Sequence, residues 1–131
     1  MAKMVVKKIT SWNKPQESSV VKGIMRALSK MDGYAWKNHG GRFSGSGLPD
    51  VMFLTRQDNK KLLFFAFEVK RAGTANKRIP PEAVGRELWK MQGATNIQAE
   101  TLNALAEAGA CCYVVESVKQ VREILSGFGI K

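Results

Sequence analysis

Two stretches of this chain constrain its fold more than any other feature. Asp50 to Thr55 and Leu62 to Lys70 each read as a strand, and each is apolar on both faces until Glu68. The polar turn Arg56 to Lys61 separates them, with Asp58-Asn59 at its tip. A strand with one wet face alternates apolar and polar residues, and these two do not. They must be central strands of a sheet covered by helices on both sides. Even the Leu62 to Phe67 run is too short to span a bilayer, so a membrane is not expected as a partner.

The rest of the chain supplies the covering helices. Val20, Val21, Ile24, Leu28 and Met31 recur at helical spacing after Pro15, and Asp32-Gly33 stops that helix. Tyr34 to Asn38 reads as a short strand, and His39 to Gly47, with four glycines and two serines, as a loop. Arg71 to Gly93 is basic, contains Pro80-Pro81, and then carries Val84, Leu88 and Met91 on a short helix. Thr95 to Ala108 is a helix closed by Gly109, Ala110 to Val115 a buried strand, and Ser117 to Ser126 a final helix. Ser117 is its N-cap, with Gln120 in the capping-box position. The main order is α-β-β-β-α-β-α, an α/β class built on a mixed sheet flanked by helices. The 131 residues suffice for one domain, which we place at 15–131 behind a basic arm at 1–14.

Charge narrows the function. Twenty-one Lys and Arg against 11 Asp and Glu give a formal net charge of +10. The excess is lopsided: residues 1–91 hold 18 basic and 7 acidic side chains, and residues 92–131 hold 3 and 4. A solubilising surface has no need of such asymmetry, whereas nucleic acid, an acidic protein or an anionic surface explains it. The N-terminus lacks the apolar stretch of a secretory signal. Cys111 and Cys112 are adjacent with no third cysteine, which excludes a disulfide framework and suits a reducing, cytoplasmic setting. One His beside two adjacent Cys builds no zinc site of the usual kind.

The hairpin makes a geometric prediction. If pairing centres on Asn59, facing residue numbers sum to 118, and Asp50 lies opposite Glu68 on one face. Lys70, two residues on, shares that face. Directly opposed residues have Cβ atoms about 4.5–5.5 Å apart. Two carboxylates that close raise each other's pKa unless a cation sits between them. A hard divalent cation, Mg²⁺ or Mn²⁺, removes that cost, and the surrounding positive field would hold a phosphodiester there. Glu17 falls on the apolar stripe of the first helix, although the helix dipole alone would also favour a carboxylate in its first turn.

Gly47-Leu48-Pro49-Asp50 followed by Phe67-Glu68-Val69-Lys70 resembles the motif pair of the PD-(D/E)XK nuclease superfamily. With Asn38-His39-Gly40 ahead and the Gln98 helix, strand and helix behind, the chain from Glu17 to Leu125 resembles the VRR-NUC branch, in particular its stand-alone, phage-type members. The resemblance implies a restriction-endonuclease-like fold and a metal-dependent DNA endonuclease. It implies Asp50, Glu68 and the Val69 carbonyl as ligands of Mg²⁺ or Mn²⁺, with Glu17 beside them, and Lys70 as the residue that positions the attacking water. Gln98 matches the family glutamine. Thr95-x-x-Gln98 is equally a capping box, and Gln92 is a second candidate because residues 73–94 are longer than the link usual in the branch.

Further basic residues flank both motifs. Lys37, His39 and Arg42 precede the first, and Arg71, Lys77, Arg78, Arg86 and Lys90 follow the second. They are expected on phosphates, where contacts position a substrate without reading its sequence. Trp36 and Trp89 could stack on unpaired bases, although helical spacing favours Trp89 as a packing or interface residue. No recognition-helix motif is present. Sequence-specific binding is therefore not expected, and the resemblance to stand-alone members, directed at junctions and flaps, implies branched, flapped, junction or single-stranded DNA as partner, met in replication, repair or recombination. A homodimer joined through the arm and residues 73–94 is the expected assembly. The alternatives are a non-catalytic DNA-binding protein on a nuclease-like fold and an RNA-directed nuclease.

Overall fold

The structure is a computed structural model and describes residues 16–38, 47–58, 60–76 and 78–131. In chain order the elements are α1 (Glu17–Leu28), β1 (Tyr34–Lys37), β2 (Val51–Gln57), β3 (Lys61–Val69), α2 (Gly85–Met91), α3 (Asn96–Glu107), β4 (Cys111–Val115) and α4 (Val118–Gly127). The fold is α/β: one four-stranded mixed sheet with four helices among the described residues. The basic arm at 1–14 lies outside those residues.

The sheet order is β1-β2-β3-β4. The first two pairings are antiparallel, and β4 runs parallel to β3. The hairpin register is the one read from the turn: Val51 faces Phe67, Met52 faces Ala66 and Phe53 faces Phe65. A one-residue slip would move every side chain to the other face. The double-sided apolar pattern tolerates that poorly here, because Asp50 and Glu68 would change faces with it.

Each sheet face has its own core. On one, α1 and α4 bury Val51, Phe53, Phe65, Phe67, Val69 and Val115 against Ile24, Leu28, Val121 and Leu125. Fully burying such side chains contributes about 1.5–3 kcal/mol each, which makes this face the main source of stability. On the other, Met52, Ala66 and Val114 pack with Trp89, Ala94 and Leu102 from the α2–α3 segment. Trp89 is buried here and is a packing residue, not a surface on which a base could stack.

Two local expectations are corrected. Val84 is 74% exposed and stands ahead of α2 in extended conformation, because the helix opens only at Gly85. At α4, Ser117 Oγ accepts from Gln120 N, but the Gln120 side chain accepts from Glu116 N. Half a capping box forms, displaced by one residue. No helix among the described residues is long and apolar enough to cross a membrane.

Candidate active site

Backbone geometry brings Asp50 to the sheet. It immediately precedes β2, and Asn38 at the end of β1 clamps it twice. Asn38 N donates to Asp50 O at 2.9 Å, and Asn38 Nδ2 donates to Pro49 O at 2.7 Å. Gly47 lets this segment approach α3: its φ is +98°, and a Cβ would lie 2.5 Å from Ile97 Cγ2. The Asp50 carboxylate then reaches across the hairpin, where Val69 N donates to Oδ2 at 2.7 Å. Asp50 and the end of β3 are thus fastened together by a bond that involves the candidate ligand residue itself.

Glu68 is 3% exposed. Its Oε2 accepts from Gln98 Nε2 at 3.0 Å and lies 3.8 Å from Lys70 Nζ. Its Oε1 is buried and meets no hydrogen-bond donor among the described residues. Burial, then the charge of the neighbouring Asp50 carboxylate, push the Glu68 carboxyl up to about 9, against a smaller opposing pull from Lys70. The sequence pointed to charge repulsion between the two acids; desolvation is the larger cause.

Lys70 donates through Nζ to Gln98 Oε1 at 2.8 Å, with its side chain only 12% exposed. The same Gln98 oxygen accepts from Thr95 N at 2.9 Å, while Thr95 Oγ1 accepts from Gln98 N. Gln98 closes the capping box of α3 and with the same side chain bridges Glu68 to Lys70. Gln92 instead supplies the backbone C-cap of α2. Gly93, at φ +112°, makes the turn from α2 towards α3, and any Cβ there would meet Thr74 at 2.6 Å.

Glu17 is exposed, not packed on the core. The apolar stripe of α1 begins to be buried only at Val20, so its first turn lies outside the packed part of the helix. The charge of Glu17 still reaches Glu68 and adds a minor upward push to its pKa.

No family model, curated protein or solved structure matches this chain.

The basic residues separate into groups. Lys37 ends β1 beside Val51 and is exposed at the site end of the sheet. Arg71 follows Lys70, half-buried, with its Nε meeting no acceptor among the described residues. Arg78 and Lys90 are exposed. Arg86 is exposed but engaged with Glu100 on α3, which leaves less of its charge for a phosphate than the sequence implied. His39, Arg42 and Lys77 lie outside the described residues.

Two residues were undervalued by sequence reading. Asn38 was visible only as the lead-in to the glycine-rich loop, yet it fixes Pro49-Asp50. Thr95 was visible only as a cap, yet it orients the glutamine that holds Lys70. The thiols offer no competing chemistry: burial pushes Cys112 up to about 11 and raises Cys111 as well.

The donor set suits a hard cation. Two carboxylates converge, and one presents a buried oxygen to which nothing among the described residues donates. Among the described residues no third His, Cys, Asp or Glu joins them. A cation held here would complete its shell with backbone oxygen and water, which is how Mg²⁺ is usually bound.

Proposed function

We propose that this protein is a Mg²⁺- or Mn²⁺-dependent DNA endonuclease of restriction-endonuclease-like fold, similar to the VRR-NUC nucleases, acting in the cytoplasm on branched, flapped or junction DNA. The observation that carries the reading is the Asp50–Glu68–Lys70–Gln98 cluster, with a buried carboxylate oxygen that meets no donor among the described residues, inside the basic two thirds of the chain. Alone, such a pair of acids would repel phosphate. Asp50, Glu68 and the Val69 carbonyl would hold the ion, and Glu17 would add negative charge from the rim. The ion would neutralise the carboxylates and acidify water.

The chain's own residues do the positioning. Gln98 fixes Lys70 Nζ beside Glu68, so that the ammonium can orient a water for in-line attack on phosphorus and offset the charge that develops on the phosphoryl oxygens. The bond from Val69 N keeps Asp50 aimed at the same point while substrate binds. Lys37, Arg71 and Lys90 hold flanking phosphates. The test is a panel of branched, flapped, single-stranded and duplex DNA incubated with Mn²⁺. Cleavage of the branched or flapped forms, abolished by chelator, is expected. Retention of every substrate without scission would leave a DNA-binding protein and overturn the proposal.

A further inference from the structure

Among the described residues, the sheet face that carries Asp50, Glu68 and Lys70 is only partly covered. α3 packs over β3 and β4. Towards β1 and the far end of the hairpin, the same face presents Tyr34, Trp36, Leu54, Leu62 and Phe64. Tyr34 is 68% exposed and Leu62 57%. The rings form a row, with centroids 5.9 Å apart for Tyr34–Trp36 and 5.7 Å for Trp36–Phe64. Beside Tyr34, Leu54 and Leu62 opens a cleft of about 730 Å³ that Arg56 also lines. Scattered apolar surface residues need no explanation, but an aromatic row that runs from half-buried Phe64 and Trp36 out to exposed Tyr34 on the face of a candidate site does.

We propose that this row is a stacking platform for unpaired nucleotides of the DNA strand that enters the site. The proposal rests on the nuclease reading and narrows its substrate to DNA with a single-stranded segment next to the scissile bond. Three observations favour this occupant. The platform and the carboxylates share one sheet face: Trp36 pairs with Met52, two residues beyond Asp50. Leu54 is four residues from Asp50, about 13 Å along the strand, so one strand of DNA can touch both. The hairpin end beside the cleft carries Arg56, Lys60 and Lys61 against Asp58, a net positive rim for phosphates, although Asp32 also lines the cleft. Aromatic faces accept any base, which fits a chain with no device for reading sequence.

The test measures binding of the full chain, with Ca²⁺ replacing Mg²⁺, to an oligothymidine strand, to a strand of the same length with abasic positions, and to blunt duplex. Wild type should prefer the strand that has bases. Tyr34→Ala should weaken oligothymidine binding about 5- to 150-fold, leave duplex binding unchanged and erase the preference over the abasic strand. Tyr34→Phe, which keeps the ring, should behave as wild type. Equal affinity of wild type for strands with and without bases would overturn the platform. So would a Tyr34→Ala protein that binds normally but sediments at half the mass of wild type, which would assign the face to a second copy. Cleavage of the panel in Mn²⁺ is scored separately. Scission with no effect of Tyr34→Ala on binding rejects the platform alone, and base-dependent binding without scission rejects the nuclease alone.

Discussion

At the scale of single residues, Glu68 sits where a charged carboxylate is disfavoured. It is buried, lies against a second carboxylate and has one oxygen that nothing among the described residues serves. In the absence of metal it keeps its proton up to about pH 9 when folded, against 4.5 in the unfolded chain. The folded state therefore binds more protons between those values, and stability falls as pH rises through that window. Thermal unfolding of the metal-free protein should show this decline, and Glu68→Gln, which cannot ionise, should flatten it. An identical slope for the two proteins would show that the carboxyl is solvated. Lys70 is the second decisive residue: Lys70→Ala should slow cleavage about 10²- to 10⁴-fold, the usual reach of a positioned proton-transfer or charge-stabilising group. Circular dichroism should meanwhile show the same fold.

At the scale of elements, the site depends on how α3 starts. The Thr95 cap and the Gln98 side chain are one hydrogen-bonded unit that ends on Lys70. Thr95→Ala should cost about 1 kcal/mol of stability, as lost caps do, with cleavage little changed. Gln98→Ala should cost similar stability and in addition about 10- to 100-fold in rate, the usual toll of losing a residue that orients a catalytic one. Equal effects of the two substitutions on rate would reduce Gln98 to a cap. Much of this layer was legible in the sequence. Double-sided apolar runs demanded a covered sheet, and the position of the turn set the register that opposes Asp50 and Glu68. What the sequence could not supply was depth. The helical period of α1 extends to Glu17, but burial along the helix begins only at Val20, so Glu17 is exposed. Nor could one-dimensional spacing show that a capping glutamine also reaches two residues on another element.

At the scale of the whole molecule, charge and site divide the labour. On the proposed function, the basic residues near the cluster would supply DNA binding that falls with salt, because each neutralised phosphate releases counterions. Lys90→Ala, exposed and without the acidic partner that Arg86 has in Glu100, should lower the salt slope of DNA binding by about 0.7–0.9 and leave the saturated cleavage rate unchanged. Arg86→Ala should change that slope less. A slope unaffected by Lys90→Ala would place the DNA elsewhere on the surface. The two halves of the sheet face holding the carboxylates would then act in sequence along one strand: aromatic contacts at the far end, chemistry at the end where Asp50 meets β3.

The central claim is that Asp50 and Glu68 together make a cation-dependent cleavage site. Single-turnover scission of flapped DNA in Mn²⁺, by wild type and by Asp50→Ala at matched DNA occupancy, tests it most directly. The account predicts product from wild type alone, none from either protein in chelator, and DNA binding by the variant at least equal to wild type, since one phosphate-repelling charge is gone. Equal scission by Asp50→Ala and wild type would contradict it.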